Sequence, residues 1–388
     1  MNNKMNIKQR LSTFWHTQWQ EVVHAIGITL LAIVLARFIG YDLMSLLSFT
    51  PKNKAADFQF SDVYQSVAER KAVHQLSKDI TIVSIDGYGR TEVLDAINII
   101  SECEPTAIGI DVFFQNPETD NTMLLTTLSS VPNIVCAAKF EKDDGKTTYH
   151  HVRQSFFEED IAVRWGYVNL NASSMRDVIR EFMPFVLTST GDTLLSMPAQ
   201  LAKLTNPIQY ETLIARGGKL EPIAFENIEF SIVPIQDILS GEADISLLKN
   251  KVVLMGDTNN ITDLHMTPLH QPMAGVKFHA YALHTILSGN YIESSPEWFN
   301  WLFAIVLGLL FTICNLLSKY RRGYWVRIVQ FITMYILLVL GCKYFTIYHT
   351  YIDFSLAILL IGFGAVAFDI WFGVYVLYNF VKNKILKI

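Results

Sequence analysis

Residues 251–292 read KVVLMGDTNNITDLHMTPLHQPMAGVKFHAYALHTILSGNYI, and this stretch carries the signals that decide the fold. It opens with a short apolar run that stops at Gly256 and Asp257, a pattern typical of a buried strand followed by a polar loop. From Gly275, apolar residues recur at helical spacing until Gly289, which predicts a helix. Soon afterwards the chain becomes apolar enough to enter a membrane. One segment therefore combines a strand, a polar loop that could face a ligand, a helix and the approach to the membrane.

Four stretches of the 388-residue chain are long and apolar enough to cross a bilayer, which takes about 20 residues. The predicted transmembrane helices are residues 22–40, 298–317, 325–345 and 352–380. The first could be a cleaved signal peptide. Its apolar part, however, is about twice the length of a typical signal core, and no small-residue cleavage site follows, which favours a retained anchor.

The Lys and Arg residues beside these stretches predict their orientation. Basic residues occur in the N-terminal lead (1–21), in the loop after the second helix and in the tail (381–388), whereas residues 346–351 contain none. We therefore expect a multi-pass protein of the cell inner membrane with both termini in the cytoplasm. Residues 41–297 would form an extracytoplasmic, periplasmic domain. With so short a tail, we expect no folded cytoplasmic output domain.

The charge divides along the same boundary. Residues 41–296 contain 32 acidic and 19 basic residues, a net charge of −13, whereas the remainder contains 12 basic and 4 acidic residues, a net charge of +8. An acidic outer domain argues against binding of nucleic acid or anionic glycans. It is compatible with cationic or neutral ligands, and also with a role in solubility alone.

Strand and helix signals alternate in the outer domain. A strand pattern at residues 80–85 precedes a helix pattern at 90–102, and a strand pattern at 106–114 precedes a helix pattern at 123–129. Alternation of this kind is typical of βαβ units. We therefore predict an α/β extracytoplasmic domain, with a mixed, mostly parallel sheet and helices on both faces, attached to a four-helix transmembrane bundle.

Three predicted strands end at or near an aspartate, which suggests a binding site. Ligands of parallel sheets tend to bind at the carboxyl ends of the strands, so these residues and nearby polar side chains could form a pocket for a cation or a small polar ligand. Alternatively, they cap helices and order loops through backbone N–H groups. The candidate residues are Asp86, Asp111, Asp257, Asp263, His265 and His279.

The sequence contains no pattern that indicates catalysis, a cofactor or a metal. His265 and His270, like His279 and His284, are five residues apart, a spacing that places them on different faces of a helix. The motifs of serine hydrolases, zinc proteases and P-loop proteins are absent. We expect no enzymatic activity, no cofactor and no metal site.

Two features of the outer domain have alternative interpretations. Cys103 and Cys136 could pair in an oxidising compartment, or both could remain free. Arg180 lies among apolar residues at strand spacing, and we expect it to form a structural ion pair with a buried carboxylate.

Asp369 falls inside the fourth apolar stretch, where a charged group is costly unless it faces a partner. His24 and Arg327 lie toward the same inner side of the membrane and are the candidate partners. These three residues could couple movement or ion passage across the membrane. Alternatively, they form a polar contact that packs the helices.

Five segments carry a resemblance to a known family, the second type of CHASE domain, which comprises extracytoplasmic sensory domains first seen attached to cyclases and histidine kinases. The family pattern of one preceding and three following transmembrane helices also agrees with the hydropathy. The likeness covers roughly residues 45–292 and continues through the membrane helices. The matching segments are ITIVSIDGYGR (80–90), AIGIDVFFQNPETD (107–120), GYVNL (166–170), VIREFMP (178–184) and VVLMGDTNNITDLHMTPLHQPMAGVKFHAYAL (252–283).

The resemblance implies a sensory or ligand-binding module and adds Arg90 to the candidate ligand-binding residues. The usual Trp-Pro-x-x-Arg that follows the first strand in this family is reduced here to Arg90. Family members commonly continue into a cytoplasmic output domain. We therefore expect a sensory subunit that relays its state through the membrane helices to a partner protein. The alternative is a structural scaffold subunit of a membrane or envelope complex.

Overall fold

The computed structural model describes residues 7–36, 59–117, 121–158, 162–170, 178–225, 228–269, 271–318 and 323–385. Two units can be distinguished, one formed by residues 65–292 and the other by residues 1–64 together with 293–388. The first corresponds to most of the predicted outer domain, and the second contains the long apolar helices.

The helices are α1 (Ile7–Leu35), α2 (Phe60–Lys71), α3 (Arg90–Glu102), α4 (Thr122–Ser130), α5 (Met197–Thr205), α6 (Pro207–Ala215), α7 (Ile235–Ser240), α8 (Gly275–Ser288), α9 (Glu297–Leu317), α10 (Gly323–Tyr348) and α11 (Ser355–Ile385). The strands are β1 (Gln75–Ser84), β2 (Ala107–Ile110), β3 (Ile134–Lys142), β4 (Tyr149–Val152), β5 (Arg164–Tyr167), β6 (Glu181–Phe182), β7 (Phe185–Leu187), β8 (Thr193–Leu195), β9 (Glu221–Pro222), β10 (Ile228–Pro234), β11 (Val252–Gly256), β12 (Leu264–Met266), β13 (Pro272–Ala274), β14 (Glu293–Ser294) and β15 (Thr350–Tyr351).

The outer unit is built on a seven-stranded sheet in the order β10-β1-β11-β2-β3-β4, with β5 also paired to β3. All of these pairings are parallel except that of β3 with β4. The prediction of a mixed, mostly parallel sheet is therefore confirmed. Strand β11 comes late in the sequence but lies between β1 and β2, with Ser84 opposite Gly256 and Ile110 opposite Met255.

Both faces of this sheet are covered, as the continuous apolar run of β11 indicates. All five residues of β11 are buried. Leu254 belongs to a cluster with apolar residues of α5 and α8, whereas Val253 and Met255 belong to a second cluster with α3, α4 and α7. Alternate residues of one strand therefore contribute to two apolar layers.

Close packing fixes α8 at the carboxyl end of β11. A Cβ atom at Gly256 would lie 2.9 Å from the Cβ atom of Val276, so any larger residue would push the helix away. The helix ends at Gly289, whose φ of 66° is in the left-handed region that glycine adopts without strain. The predicted strand and helix of residues 251–292 are thus both present.

In the part of the membrane unit that the structure describes, three helices are long and apolar enough to span a bilayer, at Glu297–Leu317, Tyr324–Tyr348 and Ser355–Lys382. A shorter apolar segment at Val22–Leu35 is the candidate for the fourth span. This segment is the second half of α1, which begins at Ile7. The N-terminal lead, residues 1–21, is therefore partly helical. Residues 37–40 of the predicted first span lie outside the described residues.

A short parallel pair of strands, β14 and β15, joins the start of α9 to the turn between α10 and α11. In the same unit, the Tyr64 side chain is fully buried, and its hydroxyl lies 2.3 Å from where a Cβ at Gly341 would be. The absence of a side chain at Gly341 therefore makes room for Tyr64 against α10.

Some local features differ from the sequence-based expectations. The sequence predicts a helix over residues 57–76; the structure describes α2 over Phe60–Lys71, and β1 already begins at Gln75. Helix α6 was not expected, although Asn206 caps it and Pro207 occupies its first turn. Of the two alternatives left open for Cys103 and Cys136, the structure has both as free thiols.

Candidate functional site

The sheet topology brings the three strand-end aspartates to one edge. Asp86, Asp257 and Asp111 follow β1, β11 and β2, which are adjacent in the sheet. The backbone N–H of Asp111 donates to the Met255 carbonyl at 2.8 Å, which continues the pairing of β2 with β11. The carboxyl edge of the sheet therefore presents several acidic side chains within a short distance.

Asp86 orders the loop after β11. Its carboxylate accepts hydrogen bonds from the Ser84 hydroxyl (2.6 Å), from the backbone N–H and hydroxyl of Thr258 (2.7 and 2.6 Å), and from the backbone N–H and side-chain amide of Asn259 (3.1 and 2.7 Å). Although burial alone would raise the pKa of Asp86, these donors hold it well below its usual range. The loop-ordering interpretation therefore describes Asp86.

Asp111 has a different environment. Its side chain is only 15% exposed, and its Oδ2 atom lies 3.8 Å from Nε2 of His279 on α8. Burial, and then the nearby Asp263 and Asp257 carboxylates, raise the pKa of Asp111 to about 7. Among the described residues, no Lys or Arg nitrogen lies within 4 Å of this carboxylate. Asp111 can therefore hold a proton near neutral pH or interact with an external cation.

His279 does not supply the missing positive charge. The residue is 5% exposed, and burial lowers its pKa to about 4 despite the nearby Asp263 carboxylate and a backbone hydrogen bond with Val168. The imidazole is therefore neutral at pH 7, and the Asp111–His279 contact is not an ion pair at that pH.

Asp263 and His265 lie beside the start of α8. The Asp263 Oδ2 atom accepts a hydrogen bond from the Gly275 N–H at 3.0 Å, so this carboxylate helps to fix the first turn of the helix. His265 Nε2 lies 3.8 Å from Asp263 Oδ1, and the His265 ring packs edge-on against Phe278. Both residues contribute to the structure around the site.

A cleft of about 600 Å³ opens at this edge of the sheet. Asp111 and Asp257 line it, together with Tyr88 and Arg90 from the β1–α3 region. Burial and the nearby Asp86 carboxylate raise the pKa of Asp257, against the opposing effect of a hydrogen bond from Asn260. The cleft therefore combines carboxylates, a guanidinium group and aromatic rings, which is suitable for a small polar ligand.

Arg90 is held by several contacts at the start of α3. It donates to the Asn121 Oδ1 atom at 3.0 Å and to the backbone carbonyl of Asn116. Its guanidinium carbon also lies 5.9 Å from the centre of the Phe114 ring and 5.4 Å from that of Phe156. These contacts orient the guanidinium group at the wall of the cleft.

A buried ion pair elsewhere in the outer unit was not expected. Arg216 makes two contacts of 2.9 Å with the carboxylate of Glu221, whose residue is fully buried, and stacks 4.4 Å from the Tyr291 ring centre. Arg180, the expected ion-pair residue, acts electrostatically on the partly buried Glu181: burial raises the pKa of Glu181, and the Arg180 charge opposes this effect. The apolar residues around Arg180 in the sequence therefore do not indicate that a buried ion pair forms between Arg216 and Glu221.

The structure also brings together two of the three polar membrane residues. Arg327 Nη2 donates to both carboxylate oxygens of Asp369, at 2.6 and 2.7 Å. His24 Nδ1 instead accepts a hydrogen bond from Trp371 Nε1 at 2.8 Å. Asp369 therefore pairs with Arg327, and His24 belongs to an aromatic contact between α1 and α11.

Within the described ranges, no three His, Cys, Asp or Glu side chains are arranged to hold a metal ion. The chain matches the family model of the CHASE2 domain over residues 28–314. Comparison with curated proteins finds no match, and comparison with solved structures finds none either. Because the family match covers well over half of the 388 residues, the chain belongs to the CHASE2 family of extracellular sensory domains.

Proposed function

We propose that this membrane protein is a non-enzymatic sensory subunit that binds a small polar ligand in the cleft and relays its state to a partner protein. The observation that carries the proposal is the environment of Asp111, a largely buried carboxylate that lines the cleft beside a neutral histidine and, among the described residues, without a Lys or Arg partner. Its neighbour Asp86 has its hydrogen-bonding capacity satisfied within the fold. Of the two, Asp111 is therefore the one available to a ligand.

The chemistry of the cleft favours a ligand with a cationic group. An ammonium or similar cation would offset the repulsion among Asp111, Asp257 and Asp263, and it would lower the raised pKa of Asp111. Aromatic residues along the same wall would contact the apolar part of such a molecule. Arg90 would contact a polar or anionic group at its other end.

The route of the relay would run through α8. The His279 side chain contacts Asp111, and the Val276 side chain packs against the end of β11, so a ligand at the cleft would act on two positions of this helix. The chain leaves α8 at Gly289 and begins the candidate span α9 at Glu297. Such a relay requires two states that differ in ligand affinity.

The localisation belongs to the same proposal. Both termini would lie in the cytoplasm, and the unit with the cleft would lie on the periplasmic side of the inner membrane. This arrangement is supported by the distribution of Lys and Arg beside the four apolar stretches.

The test of the cleft uses the full-length protein in lipid nanodiscs. A panel of small amines, amino acids and uncharged analogues is screened for a shift of the thermal midpoint. Asp111→Asn should abolish the response to the active compound, whereas Asp95→Asn, at an exposed position on α3, should leave it unchanged. An unchanged response in both Asp111→Asn and Asp257→Asn would remove the cleft as the ligand site.

The test of the relay is co-purification in mild detergent followed by mass spectrometry. A stoichiometric partner with a cytoplasmic catalytic or regulatory domain would support the sensory subunit. Stoichiometric envelope-assembly proteins without such a domain would contradict the relay and favour a scaffold.

A further inference from the structure

The Arg327–Asp369 ion pair lies on the surface of the membrane unit. Its side chains are 42% and 57% exposed, although the two contacts between them are short. In a bilayer, charged side chains normally face the interior of a helix bundle, a water-filled cavity or another protein, because contact with hydrocarbon is costly. The exposure of this pair therefore calls for a covering group.

The depth of Asp369 makes exposure to lipid especially unfavourable. Asp369 lies about 21 Å from Ser355, the start of the candidate span Ser355–Lys382, at about 1.5 Å per residue, so it falls inside a hydrocarbon core of about 30 Å, toward the inner boundary. Its short side chain cannot extend to the headgroups as a Lys or Arg side chain can. Arg327, close to the start of the span Tyr324–Tyr348, instead points its guanidinium to Asp369.

The surroundings of the pair suit contact with another helix. Ile328, Val366 and Ile370 are exposed apolar neighbours in the sequence. Gly373, one turn after Asp369, has open space where a Cβ would be. A glycine at a helix surface permits close approach of a second backbone, which strengthens packing in membranes.

We propose that the surface formed by Arg327, Asp369 and Gly373, the charged face, is covered by the charged face of a second copy of the chain. A surface with one positive and one negative group is complementary to itself under two-fold symmetry. Arg327 of each chain would then lie beside the partner subunit's Asp369, which forms a neutral ring of alternating charges. Each charge gains a second opposite neighbour in a medium of low dielectric constant.

The experiment tests whether the charges interact between chains. Arg327→Asp gives a chain with two acidic groups on the charged face, and Asp369→Arg gives one with two basic groups. The two variants, with different affinity tags, are expressed separately and together, and dimers in nanodiscs are counted by native mass spectrometry. We expect each variant alone to lose dimer at least tenfold, and co-expression to restore a dimer containing one copy of each.

Two controls keep the test independent of folding. Lys343→Asp reverses an exposed charge elsewhere on α10 and should leave the dimer of the otherwise wild-type chain intact. The thermal transition of each charge-reversed chain should match that of the wild type in its outer unit, which would show that a lost dimer is not a lost fold.

Three results would overturn the proposal. The wild-type chain could be monomeric in nanodiscs at all protein-to-lipid ratios. Co-expression could give no mixed dimer above the level of the separate variants, which would show that the pair acts within one chain only. The charge reversals could instead release a different membrane protein or a bound anionic lipid, which would identify another occupant of the charged face.

Discussion

Asp86 and Asp111 follow β1 and β2, the two strands on either side of β11, yet their surroundings shift their pKa values in opposite directions. Asp86 accepts hydrogen bonds from Ser84, Thr258 and Asn259, which lower its pKa. Asp111 is buried near other carboxylates without comparable donors, so its pKa rises to about 7. Desolvation would raise the pKa of Asp86, and the carboxylate stays ionised because the hydrogen bonds outweigh that effect. Asp111, which lacks such hydrogen bonds, is therefore the carboxylate of the cleft that a ligand could stabilise.

The raised pKa of Asp111 predicts a pH dependence of stability. The proton on Asp111 adds to the free energy of unfolding. This stabilisation is fully present below the ordinary pKa of 3.8, and it is lost as the pH rises through about 7. Asp111→Asn removes this dependence. Relative to wild type, the variant should therefore gain unfolding free energy between pH 5 and pH 8. The gain is roughly 3 kcal/mol, because only the interval from pH 5 to about 7 contributes, at about 1.4 kcal/mol per pH unit.

The measurement is denaturant unfolding of the full-length protein at both pH values, with Asp95→Asn as the exposed control. A stability difference between variant and wild type that is the same at pH 5 and pH 8 would contradict the assignment. A gain in stability together with a lost ligand response would also show that the response was not lost through unfolding.

At the residue scale, the sequence predicts where the site residues lie better than what they do. Asp86, Asp111 and Asp257 come together because parallel strands end at a common edge, a rule that needs no side-chain detail. The donors to Asp86 include Thr258, which is 172 residues away, and their geometry depends on the loop conformation. The exposure of Asp111 to a cleft likewise depends on how α8 packs, which no local pattern specifies.

At the element scale, glycines set how closely helices approach the sheet. A Cβ at Gly166 in β5 would lie 2.5 Å from the Met197 Cα atom at the start of α5. Because the clash is with backbone, it cannot be relieved by rotation of a side chain. The GYVNL segment therefore uses glycine to bring α5 against the sheet.

Gly166→Ala should destabilise the outer unit by on the order of 3 kcal/mol, since overpacking forces strand and helix apart. The measurement is the thermal midpoint of the full-length protein. Gly364→Ala is the matched control, because no atom lies within 4 Å of a Cβ there and the expected change is small. Equal midpoints for Gly166→Ala and wild type would show that α5 can shift without cost.

The long elements were predictable because their apolar periodicity is strong. The expected helix at 90–102 agrees with α3, and the apolar run after Lys251 is the central strand β11. Helix α6 was missed, and it begins at Pro207, directly after α5 ends at Thr205. The sequence Asn206-Pro207 did contain the signal for a new start, an N-cap residue followed by proline.

At the scale of the whole molecule, the proposed orientation gives a labelling prediction. In a chain with its native cysteines replaced by serine, a cysteine at Tyr348, the last residue of α10, should react with an impermeant maleimide in intact cells with a permeable outer membrane. A cysteine at Lys382 should react only after the inner membrane is opened. The reverse pattern would invert the proposed topology.

The position of β11 between β1 and β2 has a consequence for synthesis of the protein. About 140 residues separate the end of β2 from the start of β11, which takes roughly 7 to 30 s to translate at typical rates. During this interval the facing edges of β1 and β2 have no strand between them, and such edges are open to unwanted pairing. The two edges therefore need protection from unwanted pairing until β11, which ends at Gly256, has emerged from the ribosome. A chain whose synthesis stops earlier lacks the central strand of its sheet.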